Sequence, residues 1–325
     1  MPEAVLDPDI PICDAHHHLW LARGTAAPYT LDELRADTGS GHNVVGTVFV
    51  ECHSQYRTDG PVELRPVGEV EWVASVAEEA DRRGDGPPIA AIVGHADLTL
   101  GDAVQPVIEA LDEAGRGRFR GVRDNTAWDA SPMGNNAARA GILAEDGFRA
   151  GVRTLGRLGF AFDAMAYHTQ LDELAGLARA CREVRIVVNH LGIPLAGGPY
   201  RGRGDEVRSQ WRSGLTEVAG CANTVLKIGA LIRPLTGEKW DKRGELATSE
   251  EIAAAWRDEI DFAIDTFGPA RCLFESNFPV DKACHGYVEL WNAFKRLTAG
   301  YSADERRDLF HDTAARAYDL PPLAT

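Results

Sequence analysis

Short apolar runs recur down the chain, and between them lie longer stretches whose apolar residues fall three and four positions apart. The runs read as buried strands: Pro11–Leu19, Val44–Cys52, Ile89–Leu98, Phe119–Asn125, Phe160–Tyr167, Val184–His190, Thr224–Ala230 and Arg271–Asn277. The intervening spacing predicts helices over Val70–Arg83, Asp102–Ala114, Leu171–Arg182, Arg208–Gly220 and Ser249–Phe267, with two more near Tyr287–Leu297 and Ala303–Leu320. Thr248-Ser249-Glu250-Glu251, ahead of an apolar-periodic stretch, is a helix start with acidic residues in its first turn. The connection from Trp20 to Asn43 is long and shows no clear period.

Eight strands alternating with helices predict the α/β class and a (β/α)8 TIM barrel, one domain over residues 1–325 with C-terminal helices. No Pro/Ser-rich linker, composition shift or internal repeat divides the chain. The competing arrangement, an open doubly wound sheet, favours a Gly-rich phosphate loop after an early strand. Gly39-Ser40-Gly41 stands before a strand instead.

Composition narrows the partners. The 325 residues are 44% hydrophobic and 26% charged, ordinary for a globular protein, and the formal charge of -15 disfavours nucleic acid and anionic membrane surfaces. A small-molecule substrate is the expected partner, and a homo-oligomer is compatible with the pattern. The six cysteines are scattered, with no C-x-x-C pair, and three of them lie in apolar runs as small hydrophobes. With no basic-then-apolar leader and no run of about 18 apolar residues, a reducing cytoplasm is the expected compartment.

Polar residues gather where a barrel carries its chemistry, at the C-terminal ends of the strands. The first strand ends in Asp14-Ala15-His16-His17-His18-Leu19-Trp20, which holds three of the chain's ten histidines. Alternation along a strand puts Asp14, His16 and His18 on one face and Ala15 and His17 on the other. Glu51 and His53 end the second strand, His95 and Asp97 the third, and Arg123-Asp124-Asn125 the fourth. Tyr167-His168 end the fifth and Asn189-His190 the sixth; Lys227 lies in the seventh, and Glu275, Asn277 and Asp281 follow on the eighth.

Three segments together resemble the amidohydrolase superfamily, in its amidohydrolase-2 group of lactonases and related hydrolases, which also includes decarboxylases. They are Asp14–Trp20, Asn189-His190-Leu191-Gly192 and Glu275-Ser276-Asn277-Phe278-Pro279-Val280-Asp281. The resemblance implies a metal-binding His-x-His at His16 and His18, a further ligand at His190, and an aspartate where this chain has Asn277. It also implies at most one divalent ion, zinc first on ligand type, because Arg123 occupies the region where binuclear relatives carry a lysine. The alternative it leaves open is metal-free operation, with His16, His18, His168, His190 and Arg123 polarising a carbonyl directly.

Asn277 is a departure with chemical consequences, since a neutral amide cannot take a proton from water. The candidate bases are Asp281 first, then Glu51 and His190. Glu275 ranks behind them as a residue deeper in the barrel, equally readable as a buried ion-pair partner. Arg123 presents a fork suited to a carboxylate or oxyanion, so with His168 it points to a carboxylated substrate. Trp20, Tyr167 and Asn277 complete the expected binding wall, with Trp128 as a further candidate. The Gly-rich loop after strand six, Gly197 to Gly204, is a candidate lid, whereas Trp72, Trp211, Trp256 and Trp291 lie at helical spacing and read as packing. The expected reaction is hydrolysis of a lactone or related ester-like carbonyl. Non-oxidative decarboxylation and a catalytically inactive ligand-binding barrel are the alternatives.

Overall fold

The computed structural model describes residues 3–21, 24, 26–131, 137, 139–232 and 234–323. Eight strands, β1 (Ile12–His17), β2 (Val44–Val50), β3 (Ile89–Gly94), β4 (Phe119–Arg123), β5 (Ala161–Ala164), β6 (Ile186–Val188), β7 (Thr224–Ile228) and β8 (Cys272–Phe274), lie parallel in sequence order. Each is followed by a helix: α1 (Leu31–Thr38), α2 (Val67–Arg83), α3 (Gln105–Gly115), α4 (Asp146–Arg157), α5 (Leu171–Ala180), α6 (Gly204–Ala219), α7 (Ser249–Phe267) and α8 (Tyr287–Leu297). Sheet and helices form the expected (β/α)8 barrel. All eight strand runs are present, each shorter than its apolar run because the polar residues at its end leave the ladder.

Two helices escape the apolar pattern. In the unpatterned Trp20–Asn43 segment, α1 starts at a capping box in which Thr30 and Glu33 satisfy each other's backbone, and it buries Leu31 and Leu34. The helix α4 is rich in Gly and Arg; its Gly151 is required because a Cβ there would lie 2.1 Å from the Leu98 carbonyl oxygen. The predicted Ala303–Leu320 helix is α9 (Ala303–Arg307) and α10 (Thr313–Ala317), joined by a π turn over Asp308–Asp312.

The outward faces of the strands pack under the helices in the main core, where Phe49, Ile92, Phe162, Ile228 and Phe274 are fully buried. The inward faces form a second cluster, including Cys13, Ala15, Val48, Val50, Ala91, Val93, Val187 and Leu273, which Ala314, Ala317 and Tyr318 join from the C-terminal segment. All six cysteines are buried, and none forms a disulfide. Among the described residues no helix is long and apolar enough to cross a membrane.

A buried ion pair crosses the barrel interior. Lys227 Nζ on β7 lies 2.7 Å from Asp163 Oδ2 on β5, and neither side chain has exposed surface. Asp163 also accepts hydrogen bonds from Asn189 Nδ2 and from the Tyr318 hydroxyl, each at 2.9 Å. Removing one partner of such a pair strands the other charge in a low-dielectric interior. Lys227→Met should therefore lower the unfolding free energy by about 3–5 kcal/mol in chemical denaturation, and adding Asp163→Asn should recover part of the loss. Equal stability of Lys227→Met and the parent would show that the pair carries no such charge.

Candidate active site

The barrel closes through the same residues that carry the chemistry. Asn277 N donates to His16 O at 2.9 Å and His18 N donates to Phe278 O at 2.8 Å, joining the end of β1 to the chain just beyond β8. Asp14 fastens the seam from the side: it accepts from Ser276 N at 2.8 Å and from the Tyr287 hydroxyl of α8 at 3.0 Å. Burial pushes the Asp14 carboxyl up to about 6, although the bonds from Ser276 and Tyr287 oppose it.

Strict alternation along β1 does not hold. Cys13 and Ala15 belong to the inner cluster, and the pairing with β2 shifts register between Asp14 and His17. That irregularity leaves Asp14 bonded to Tyr287 outside the barrel while His16 and His18 face the interior together. His17 turns away and bonds Thr47 Oγ1 at 3.1 Å.

Glu275 lies beneath these rings. Its Oε1 accepts from His190 Nδ1 at 2.7 Å and from the His190 backbone N–H at 3.2 Å. Its Oε2 is 2.8 Å from His16 Nδ1, a contact too poorly aligned to satisfy either atom as a hydrogen bond. Gly229 makes the room, since a Cβ there would sit 2.3 Å from Glu275 Cγ. Glu275 shares the parity of Asn277 along the chain, and that signal together with Gly229 could have ranked it first.

The carboxylate decides where the imidazole protons are. The bonds to Glu275 and to Val50 O (2.8 Å) put hydrogen on Nδ1 of His190 and of His18, and the Glu275 charge favours the same tautomer in His16. Each ring then presents a bare Nε2. The His16 and His18 Nε2 atoms face each other at 3.3 Å, and Arg123 Nη1 is 3.4 Å from the former. Two lone pairs at that distance repel unless a cation lies with them. Burial, followed by the charges of Lys227, His190, His18 and Arg123, holds His16 well below its ordinary pKa. The donor set of imidazoles and a carboxylate suits a divalent ion such as zinc, and ligand atoms of His16, His190 and Glu275 lie within 4.8 Å of one another.

Above the histidines opens a cavity of about 400 Å³, bordered at its inner end by His18, Arg123, His190 and Asn277. Tyr167 lines it. Leu195, Ala196 and Gly197 bring the chain after β6 to its wall, and Tyr200 farther along bonds Asp129 at 2.5 Å.

Other expected site residues lie elsewhere. Asp281 is fully buried, does not line the cavity, and accepts from Asn277 Nδ2 at 2.7 Å. It fixes the Asn277 amide rather than meeting substrate. Glu51 is held by Arg123 Nε at 2.6 Å; burial raises its pKa, but the charges of Arg123, His53 and His95 prevail and lower it. His168 stands edge-on to Tyr200 and borders a separate cavity with Thr169 and Asp172, because the chain turns into a short helical turn at that point. Trp20 lies behind His18 with its Nε1 bonded to Ala27 O, and Trp128 packs against the core. Trp256 is the reverse case: at helical spacing it reads as packing, yet it reaches the cavity from α7. No feature of its local sequence distinguishes it from Trp211.

The Asn277–Asp281 contact makes the departure from aspartate testable. Asn277→Asp would place two buried carboxylates in contact, raising the pKa of the pair because both cannot ionise freely. A raised carboxyl pKa gives stability that is present at low pH and lost as pH rises. In metal-free protein, Asn277→Asp should therefore melt below the parent at pH 7, by about 1–3 kcal/mol, with the gap narrowing toward pH 4. A gap that stays constant with pH would mean the two carboxylates do not interact.

The family model described as Amidohydrolase matches residues 13–320. The chain is 30% identical over 322 residues to y4mH, an uncharacterized protein of Sinorhizobium fredii, covering 95% of this chain and 99% of that protein. It is 27% identical over 325 residues to an L-fucono-1,5-lactonase of Burkholderia multivorans, covering 96% of this chain and 97% of that enzyme. A crystal structure of an amidohydrolase from Burkholderia multivorans with bound zinc is similar at TM-score 0.74 and 25% identity, over 95% of this chain and 99% of that one.

Proposed function

We propose, from the premise that the chain belongs to the amidohydrolase family, that it hydrolyses a lactone, with His190 as the general base. One observation carries the reading. His190 Nδ1 is bonded to Glu275 at 2.7 Å while the same ring borders the cavity, so its Nε2 is turned to where water and substrate meet. A carboxylate behind an imidazole fixes its tautomer and stabilises the imidazolium that forms when Nε2 takes a proton.

Water enters between His190 and the carbonyl carbon, and His190 Nε2 removes its proton as the new C–O bond forms. The ring oxygen leaves as the tetrahedral adduct collapses, and the proton on His190 passes to it. Asn277, its amide held by Asp281, supplies a fixed polar contact at the reacting end. His16 and His18 would hold one divalent ion, zinc by ligand type, which when bound would polarise the carbonyl as a Lewis acid. The pocket side favours these Nε2 atoms over the Nδ1 side, which Glu275 seals with no exposed surface.

The test separates the roles. Lactones and aromatic acids are offered to the enzyme, and acid release and CO2 are measured together with bound zinc. Acid release from lactones, with zinc lost in His16→Ala and His18→Ala, is the expected outcome. His190→Asn should keep its zinc and lose on the order of 10²- to 10⁴-fold in kcat. Loss of zinc in His190→Asn would make His190 a ligand rather than the base. CO2 release from an aromatic acid, with every lactone inert, would replace hydrolysis by decarboxylation.

A further inference from the structure

The cavity has two unlike ends. Its inner end is polar, and the wall facing it is built from Leu191, Ile193, Leu195, Ile232, Trp256 and Val280. These residues come from three places in the barrel: the loop after β6, the chain after β7 with α7, and the turn after β8. Val280 is 42% exposed, a large apolar side chain left facing solvent at this cavity. Apolar surface of that kind at a concave site marks where an apolar part of a ligand is covered.

Arg123 offers the cavity a partly occupied, charge-compensated fork. Its Nε bonds Glu51 Oε1 at 2.6 Å, its Nη2 bonds the Glu51 carbonyl oxygen, and its Nη1 lies 3.4 Å from His16 Nε2. The neighbouring charges of Arg123 and Glu51 cancel. The Nε–Nη2 edge is therefore taken, and the N–H groups left on Nη1 and Nη2 belong to a guanidinium whose charge Glu51 already compensates.

Resting on the lactone reading, we infer that the ring accepted here carries an uncharged, apolar alkyl or aryl substituent, not a set of hydroxyls or a second carboxylate. The carbonyl lies against His18, His190 and Asn277, and the substituent lies along the Leu195–Trp256–Val280 wall. Hydroxyls placed there would give up hydrogen bonds to water for contact with aliphatic and aromatic carbon, a cost that an alkyl chain avoids.

Lactams test this without turnover, because they keep the ring and carbonyl but resist opening. Four six-membered lactams are compared by calorimetry on the full-length, metal-loaded protein: unsubstituted, pentyl-substituted, polyhydroxylated and carboxylated. The pentyl compound should bind at least about 10-fold more tightly than the unsubstituted ring, given the methylenes it buries. The hydroxylated and carboxylated rings should bind no more tightly than the unsubstituted one. Val280→Asp should weaken the pentyl lactam by roughly 3- to 10-fold more than the unsubstituted lactam. Tightest binding by the hydroxylated or carboxylated ring overturns the inference, as does the absence of binding by all four. Turnover of the matching lactones is scored separately: if none opens while the pentyl lactam binds best, hydrolysis fails and the apolar preference stands.

Discussion

Glu275 has no exposed surface, and its two carboxylate oxygens lie 2.8 Å from His16 Nδ1 and 2.7 Å from His190 Nδ1. A buried carboxylate is costly unless its neighbours compensate it. Here the compensation sets protons: the bond to His190 fixes hydrogen on its Nδ1, the carboxylate charge favours it on His16 Nδ1, and Nε2 is left bare. From that follow the facing lone pairs of His16 and His18, their suitability for a divalent ion, and a His190 able to accept a proton on the cavity side. Glu275 therefore acts on ring orientation and protonation rather than on substrate.

The same segment has to close the barrel. The backbone of residues 276–278 bonds Asp14, His16 and His18 at the seam between β1 and β8, and Ser276 Oγ reaches His16 O at 3.3 Å. His190 and Asn277 both hold left-handed backbone, with φ of 56°, where the strands end and turn over the mouth. Asn tolerates that region; His adopts it less readily, so the surrounding bonds must hold it. The seam, the strained turns and the Glu275 contacts belong to one packed unit, so the positions of the histidines are set by the fold rather than by a loop.

Much of the architecture was legible in the order of apolar runs, because parallel strands buried on both faces are almost continuously apolar. The missed helices had physical causes: α1 is short and depends on a Thr30–Glu33 cap, and α4 carries Gly151 for a backbone contact that only the fold reveals. At the site, strand ends located His16, His18, Arg123, His190 and Asn277. Pairing was not legible. That Glu51 occupies Arg123 and that Glu275 joins two histidines are contacts between strands far apart in sequence, and that Asp281 holds the Asn277 amide depends on how the turn after β8 folds. The irregularity in β1 also broke the alternation used to group Asp14 with His16. Trp256 reaches the cavity from a helix whose spacing suits packing equally well.

The control of imidazole protons by Glu275 can be measured directly by nitrogen-15 NMR of histidine-labelled protein, with each ring assigned by single substitution. The geometry predicts that His16, His18 and His190 are all Nδ1–H tautomers, and that Glu275→Gln disturbs His16 and His190 while His18, bonded to Val50 O, keeps its tautomer. A proton on Nε2 of His16 or His190 in the unsubstituted protein would contradict it, because neither ring could then present a lone pair to the cavity.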